Sequence, residues 1–409
     1  MTRALALMIL VFGLFAPPAR AQLGGLPLPD LPSVGDVVDA LPDVEETADA
    51  PLRDVRRLRA RDLLRRNRTV LEADPQGQVI VRGQILALGV SAEALARARA
   101  AGFETVRSDD VDDLGALVIL RAPPRLSTRR ALRQLQEADP RGLYDFDHLY
   151  LESGMSAPVL ATVGGTGGGA LVGLIDSGVA AHPSLAGAIA AQRAFVGDTP
   201  VPGAHGTAVA SLIASAAPGA GIYAADIYGG APTGGASSAL ARAFTWLVDE
   251  RIPVINVSLV GPRNRIVEAL VAQVVRRGVI VVAAVGNDGP AAPPLYPAAY
   301  EGVVGVTGVD ARSQVLNEAG RGAHVDFAAL GTPSAAAPNG RFVRVRGTSF
   351  AAPSVSGLLA ARLSAPDPQG AQRAIAGLSA QARDLGARGR DEVYGYGLVT
   401  TSANRVATH

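Results

Sequence analysis

Three short stretches of this 409-residue chain hold residue types that could break an acyl bond by nucleophilic attack. Asp176 ends an apolar run, Val172-Gly173-Leu174-Ile175-Asp176, and Ser177-Gly178 follow it. Among the five histidines, only His205 has an informative context, in His205-Gly206-Thr207 ahead of a helix candidate. Ser349 stands in Gly347-Thr348-Ser349-Phe350-Ala351-Ala352-Pro353, at the start of another helix candidate. A serine hydroxyl is a weak nucleophile at neutral pH and needs a base within hydrogen-bond reach. His205 can take that proton and return it to a leaving amine. Asp176 can hold the ring in the required tautomer and stabilise the imidazolium. A nucleophile at a helix N-terminus also meets free backbone N–H groups and the positive end of the helix dipole, which favour an oxyanion. Asn287, in Gly286-Asn287-Asp288-Gly289, can point a further amide donor at the same charge.

These residues need a frame. Beyond about residue 157 the chain turns rich in Ala, Gly and Val, and short apolar runs alternate with helical stretches. The runs Leu171–Ile175, Gly221–Ile227, Val254–Leu259, Val279–Val285 and Val303–Gly308 are strand candidates. The stretches Ala208–Ser215, Ala236–Glu250, Arg263–Arg277 and Phe350–Leu363 are helix candidates. Near-continuous apolar strands between helices predict a mainly parallel sheet buried on both faces, with sites at strand ends and helix starts. The glycine run 164–169 precedes a strand rather than following one, so it reads as a turn and not as a phosphate cradle.

Composition removes whole classes of chemistry. All 38 basic residues are Arg, and Cys is absent. Lysine-dependent phosphate loops, kinase sites and Schiff-base enzymes are excluded, as are disulfides, cysteine nucleophiles and Cys-ligated metals. A net charge of +1 gives no electrostatic case for nucleic-acid binding. His324 has no second histidine or paired carboxylate at ligand spacing, so no metal or cofactor is expected.

The N-terminal part reads separately. Arg3, the apolar run Ala4 to Phe15 and the small-x-small triplet Ala19-Arg20-Ala21 make residues 1–21 an expected signal peptide. The mature chain is therefore expected to be secreted or periplasmic, with no membrane span after signal removal. Residues 22–77 read as a Pro- and Asp-rich linker and then, over 52–72, an Arg-rich amphipathic helix whose basic face is expected to be solvated. Residues 78–150 give the order β-α-β-β-α-β, with Ser91 and Ser127 capping the helices, which predicts a ferredoxin-like unit.

At these residues the chain resembles the subtilisin-like serine proteases. The order Asp, His, Ser is the subtilisin order. The resemblance covers about residues 151–402. It adds Asn256-Val257-Ser258-Leu259, Ala283-Ala284-Val285-Gly286-Asn287, Tyr296-Pro297-Ala298 and Tyr394-Gly395-Tyr396-Gly397 to the three stretches above. It implies a three-layer α/β/α peptidase domain over 151–409, with Asp176, His205 and Ser349 as the catalytic triad and Asn287 as the oxyanion donor. It also implies that residues 78–150 are an inhibitory propeptide whose last strand lies in the substrate cleft, with cleavage near Tyr150 to Ala157.

The same resemblance places Ser258, Leu259 and Val260 along one edge of the substrate pocket and Ala284 and Gly286 on the other. Val260 stands where the family usually has Gly, and a branched side chain there is expected to favour small or medium apolar residues before the scissile bond. The short connection Ser215 to Gly221 lacks the calcium-binding loop common in the family, and Ala208 replaces a frequent second histidine. The expected partners are protein or peptide substrates and the chain's own propeptide, in a monomer. A catalytically weak homologue that binds peptides or regulates a partner is the alternative, and a nonprotease serine hydrolase is a third reading.

Overall fold

The computed structural model describes residues 55–152, 154–158 and 169–401. The expected signal peptide, the linker up to residue 54 and most of the glycine run at 164–169 lie outside them. In chain order the N-terminal unit contains α1 (Val55–Arg66), β1 (Leu71–Ala73), β2 (Val79–Leu88), α2 (Ala92–Ala100), β3 (Glu104–Asp110), β4 (Ala116–Arg121), α3 (Thr128–Ala138) and β5 (Leu143–His148). Then follow β6 (Leu151–Glu152), β7 (Met155–Pro158), β8 (Leu171–Asp176), β9 (Ile189–Ala194), α4 (Ala204–Ala216), β10 (Gly221–Asp226), α5 (Ser237–Asp249), β11 (Val254–Val257), β12 (Leu259–Val260) and α6 (Arg265–Arg276). The chain continues through β13 (Ile280–Ala284), β14 (Val304–Val309), β15 (Phe327–Leu330), β16 (Ser334–Ala336), β17 (Phe342–Arg346), α7 (Ala352–Ala360) and α8 (Pro368–Ser379).

The main sheet has seven strands in the order β15-β14-β13-β11-β8-β10-β9, and every pairing in it is parallel. Side chains alternate across a strand with period two, so each central strand feeds two cores. Ile255, Val257, Val281 and Ala283 point to the face covered by α5 and α6. Val172, Leu174, Val254, Ile280 and Val282 point to the face covered by α4, α7 and α8. The result is the expected three-layer α/β/α architecture. Among the described residues, no helix is long and apolar enough to cross a membrane.

The N-terminal unit has the antiparallel order β3-β4-β2-β5 of a ferredoxin-like sheet, with β1 added beside β2. Ser91 caps α2 by accepting from Ala94 N–H, and Ser127 caps α3 from Arg130 N–H. One sheet face packs on these two helices through Ile85, Val118, Leu120, Leu132 and Leu135. The other face, carrying Leu86, Leu88, Leu117 and Ile119, belongs to the same core cluster as α5 and α6. The docking is completed by two carboxylates of β5 at helix starts. Asp147 accepts from Ser238 N–H and Ser238 Oγ, at 2.9 and 2.8 Å, in the first turn of α5. Asp145 accepts from Arg265 N–H at 2.7 Å, at the start of α6. Free N–H groups and the helix dipole favour a carboxylate there.

Several elements differ from their sequence expectation. The helix expected from Ala208 begins at Ala204, because tertiary burial overrides the low helix propensity of Gly206 in its first turn. The strand expected over Val254–Leu259 breaks at Ser258, whose side chain and carbonyl turn to another segment. The helix expected from Phe350 starts at Ala352, after a tight 3₁₀ turn at Thr348–Phe350. Strands β1, β9 and β15 to β17 had no clear sequence signal; they are short, or they lie at sheet edges, whereas the unpredicted helix α8 carries a start signal in Asp367-Pro368.

Burial pushes the Asp147 carboxyl up to about 6, against the two Ser238 hydrogen bonds that favour its charge. A carboxyl raised on docking contributes most when it is protonated, and that contribution fades as pH rises through about 6. The urea midpoint for undocking or unfolding the N-terminal unit should therefore fall between pH 4 and pH 7. Asp147→Asn should flatten that slope, and equal slopes in the two proteins would refute the assignment.

Candidate active site

Asp176 ends β8 at the carboxyl edge of the parallel sheet and is fully buried. A buried carboxylate needs donors. Asp176 receives Ser177 N–H at 2.7 Å and Ser177 Oγ at 3.2 Å, and both its oxygens lie 2.9 Å from His205 Nδ1. His205 sits in the first turn of α4, with its ring 5.2 Å from that of Phe350. Burial opposes a charge on His205, but the Asp176 carboxylate outweighs it and Glu152 adds to that. The imidazole therefore holds its proton to higher pH than an ordinary histidine, although Arg59 acts in the opposite sense.

The approach of α4 to β8 depends on Gly206. A Cβ there would collide with the Ser177 carbonyl oxygen, while Gly206 N–H donates to Ser177 Oγ at 3.0 Å. Glycine is thus what lets the residue after His205 lie against the residue after Asp176.

Ser349 lies in the 3₁₀ turn before α7 and is buried. Its Oγ donates to the Ser258 carbonyl at 2.9 Å, and Ser258 Oγ donates back to the Ser349 carbonyl at 2.8 Å. His205 Nε2 is buried and has no hydrogen-bond partner among the described residues. The structure thus brings Asp176 and His205 together but leaves the Ser349 hydroxyl bonded elsewhere. Bonds of this kind commonly tighten only when substrate is engaged.

Asn287 is cross-linked to the same turn: its Oδ1 accepts from Thr348 N–H at 3.0 Å, and Gly286 N–H donates to Thr348 Oγ1 at 3.1 Å. The side-chain amide is thereby fixed one residue from Ser349. Gly286 has φ of 94°, and a Cβ there would meet Leu295 at 2.6 Å and Val260 Cγ1 at 3.4 Å. Val260 therefore lies close to Gly286, and Ala284 ends β13 fully buried.

Leu259 and Val260 form β12 and pair antiparallel with Glu152 and Leu151 of β6. Leu149 bridges to Ala236, Tyr150 N–H donates to the Gly235 carbonyl at 2.7 Å, and the Tyr150 carbonyl accepts from Tyr228 OH at 2.9 Å. The Tyr150 ring is buried, with a Cβ at Gly261 excluded by it and its hydroxyl donating to the Pro262 carbonyl at 3.1 Å. The segment Leu149–Glu152 thus lies as an extended strand between two backbone edges. Glu152, Asp176 and His205 bring polar side-chain atoms within 4.8 Å of one another. Gly154 abuts the Phe350 ring, and beyond it β7 pairs antiparallel with β17.

Sequence reasoning assigned no role to Glu152, Asn256 or Ser356, and used Tyr150 only as a bound for the expected cleavage. Asn256 donates to Ser258 Oγ and accepts from Ser356 Oγ, at 2.9 and 2.8 Å, so it fixes the serine that holds Ser349. Its signal was present in the Asn256-Val257-Ser258-Leu259 stretch, a polar residue inside an apolar strand.

The comparisons with known proteins decide the family. Residues 167–397, more than half of the 409, match the Subtilase family. The chain belongs to the subtilase family. It is a serine-type endopeptidase by that membership, with the subtilisin-like fold. Subtilisin Savinase from Lederbergia lenta is 32% identical over 266 residues, which are 61% of this chain and 96% of that protein. The minor extracellular protease Epr of Bacillus subtilis (strain 168) is 32% identical over 259 residues, 58% of this chain but 39% of Epr. Fervidolysin from Fervidobacterium pennivorans, a keratinolytic enzyme related to subtilisin, superposes with a TM-score of 0.68 at 20% identity. That superposition covers 82% of this chain and 62% of fervidolysin. The chain thus spans less than two thirds of Epr and of fervidolysin.

Gly206→Ala tests the geometry. The added methyl must push α4 off Ser177 and carry His205 with it. A displacement of about 1 Å at such a site costs on the order of 10²-fold in rate, and overpacking costs roughly 1–3 kcal/mol of stability. Peptide-substrate kinetics and thermal unfolding of the variant should show both losses; a variant with unchanged kcat/KM would refute the requirement.

Proposed function

We propose that this subtilase is an exported endopeptidase made as a zymogen, with Asp176, His205 and Ser349 as its triad and Asn287 as an oxyanion donor. The observation that carries the reading is the course of residues 149–152 and 154–158. Leu151–Glu152 pairs with β12, Met155–Pro158 pairs with β17, and between them Glu152 reaches His205 while Gly154 abuts the residue after Ser349. This is how a peptide would lie across a protease cleft, bound on both sides of one bond. The bond assigned as scissile is Ser153–Gly154.

The chemistry follows from the groups present. Ser349 gives up its bond to the Ser258 carbonyl, its proton passes to His205 Nε2, and its Oγ attacks the carbonyl carbon. Asp176 holds the imidazolium through Nδ1. The developing oxyanion is met by the Asn287 amide and by backbone N–H groups of the turn at Ser349. His205 then gives its proton to the departing amine, and water releases the acyl group from Ser349 by the reverse sequence.

Residues 78–150 act on this reading as an inhibitory propeptide, with the strand that follows them up to the cleavage bond. The dock against α5 and α6 and the strand in the cleft support that role. The N-terminal apolar run and its Ala19-Arg20-Ala21 triplet support export, as does the extracellular relative. A small residue, Ser153, before the scissile bond agrees with the narrowing expected of Val260. The bond from Ser349 to Ser258 favours one rival, a weakly active peptide-binding homologue.

Two measurements separate these. Intact masses of the wild type and of Ser349→Ala, both expressed from Gln22, should show a wild type that begins at Gly154 and a variant that stays whole. Two whole chains, together with no labelling by an active-site serine probe, would favour the rival. For specificity, Val260→Gly should raise kcat/KM for large residues before the cleaved bond by roughly tenfold relative to small ones, given that pocket contacts are worth about 1–3 kcal/mol. An unchanged preference profile would remove Val260 from the pocket.

A further inference from the structure

Helix α1 precedes the ferredoxin-like unit and was expected to present a solvated basic face. The structure divides that face. Arg57, Arg59, Arg61, Arg65 and Arg66 are exposed, Arg59 while it makes the contact described below. Arg56 instead reaches across to the second half of the molecule. Its Nε and one terminal nitrogen both lie 2.8 Å from Asp288 Oδ2, with side-chain exposures of 18% and 7% for the two partners. Asp288 is the residue after Asn287.

One turn on, Arg59 donates to the Glu152 carbonyl at 3.4 Å. One further turn on, Leu63 and Leu64, with Ala60, pack against a small core cluster formed by Leu71, Val79, Val81, Leu149 and Ala236. Positions 56, 59, 60, 63 and 64 share one side of a helix. That side therefore reaches the loop carrying Asn287, the Glu152 carbonyl of the strand paired with β12, and the small core to which Leu149 and Ala236 belong.

We propose that α1 is a strap, a second inhibitory element outside the ferredoxin-like unit, which holds residues 149–152 in the cleft and is locked by the Arg56–Asp288 ion pair. The inference rests on the zymogen reading for its consequence and on α1 alone for its geometry. Strand pairing holds the segment edge-on, while α1 covers it from outside at Leu149 and Glu152. A partly buried ion pair is costly to break from one side, because the remaining charge stays desolvated. Once the bond after Ser153 is cut, the cleaved segment has lost its covalent tie to the peptidase, and the strap then sets how long it stays.

The test separates strap from zymogen. In the full chain carrying Ser349→Ala, hydrogen exchange is followed at residues 149–152 and at β4, with and without Arg56→Glu plus Arg59→Ala. The strap predicts exchange at 149–152 at least tenfold faster in the variant, with β4 unchanged; equal protection at 149–152 would overturn it, whether or not the chain processes itself. Faster exchange at β4 as well would mean general loosening and would also count against a strap.

In chains with Ser349 intact, Arg56→Glu should shorten the delay between cleavage and peptide turnover several-fold, and Arg56→Lys should restore most of it. An unchanged delay with a loosened segment would mean that α1 covers the segment without inhibiting. If the wild type never cleaves itself, the mass measurement rejects the zymogen while the exchange result still decides the strap.

Discussion

The arrangement hangs on one buried negative charge. Asp176 ends a strand at the centre of the parallel sheet, where no water reaches it. Such a group stays ionised only if donors surround it. Ser177 supplies two and His205 a third. The need for His205 brings the start of α4 onto the end of β8, and only a residue without a Cβ fits at 206. The histidine that satisfies the carboxylate is left with Nε2 buried and without a hydrogen-bond partner among the described residues. Structural demand and chemical use meet in the same contact.

A second constraint is backbone pairing. The segments 235–236 and 259–260 offer N–H and C=O groups along the cleft, and groups of this kind do not stay buried unpaired. Residues 149–152 satisfy both edges. The N-terminal unit strengthens this by docking its sheet on α5 and α6 and placing two carboxylates at their first turns. Three separate interactions thus act on one extended segment: sheet docking, helix-start carboxylates and edge pairing. Each is local and modest, and their joint effect comes from the covalent chain that links them.

Much of the frame was legible because its signals are local. Apolar runs such as Ile280–Ala284 identify buried parallel strands, and Ser91 and Ser127 mark helix starts through side chains that bond three residues ahead. The strands that carried no signal, β9 and β15 to β17, are short or lie toward the sheet edges, where alternation is weak. The start of α4 was misplaced because Gly206 lowers helix propensity where packing decides. Arg56 and Arg59 looked like solvated charges, since nothing nearby in sequence announces Asp288, 232 residues away, or Glu152, 93 residues away.

The sequence by itself determined the residue types and their local settings: a carboxylate at a strand end, a histidine and a serine at helix starts, an amide after an apolar strand, and no lysine or cysteine chemistry anywhere. Backbone propensity and side-chain period act over a few residues, so a linear reading reaches that far. Only the tertiary structure decided that Asp176 meets His205, that Ser349 bonds Ser258, that residues 149–152 pair with 235–236 and 259–260, and that Arg56 reaches Asp288. Those contacts join groups tens to hundreds of residues apart, and they form because buried polar groups and unpaired backbone edges must find partners that only the folded chain can bring to them.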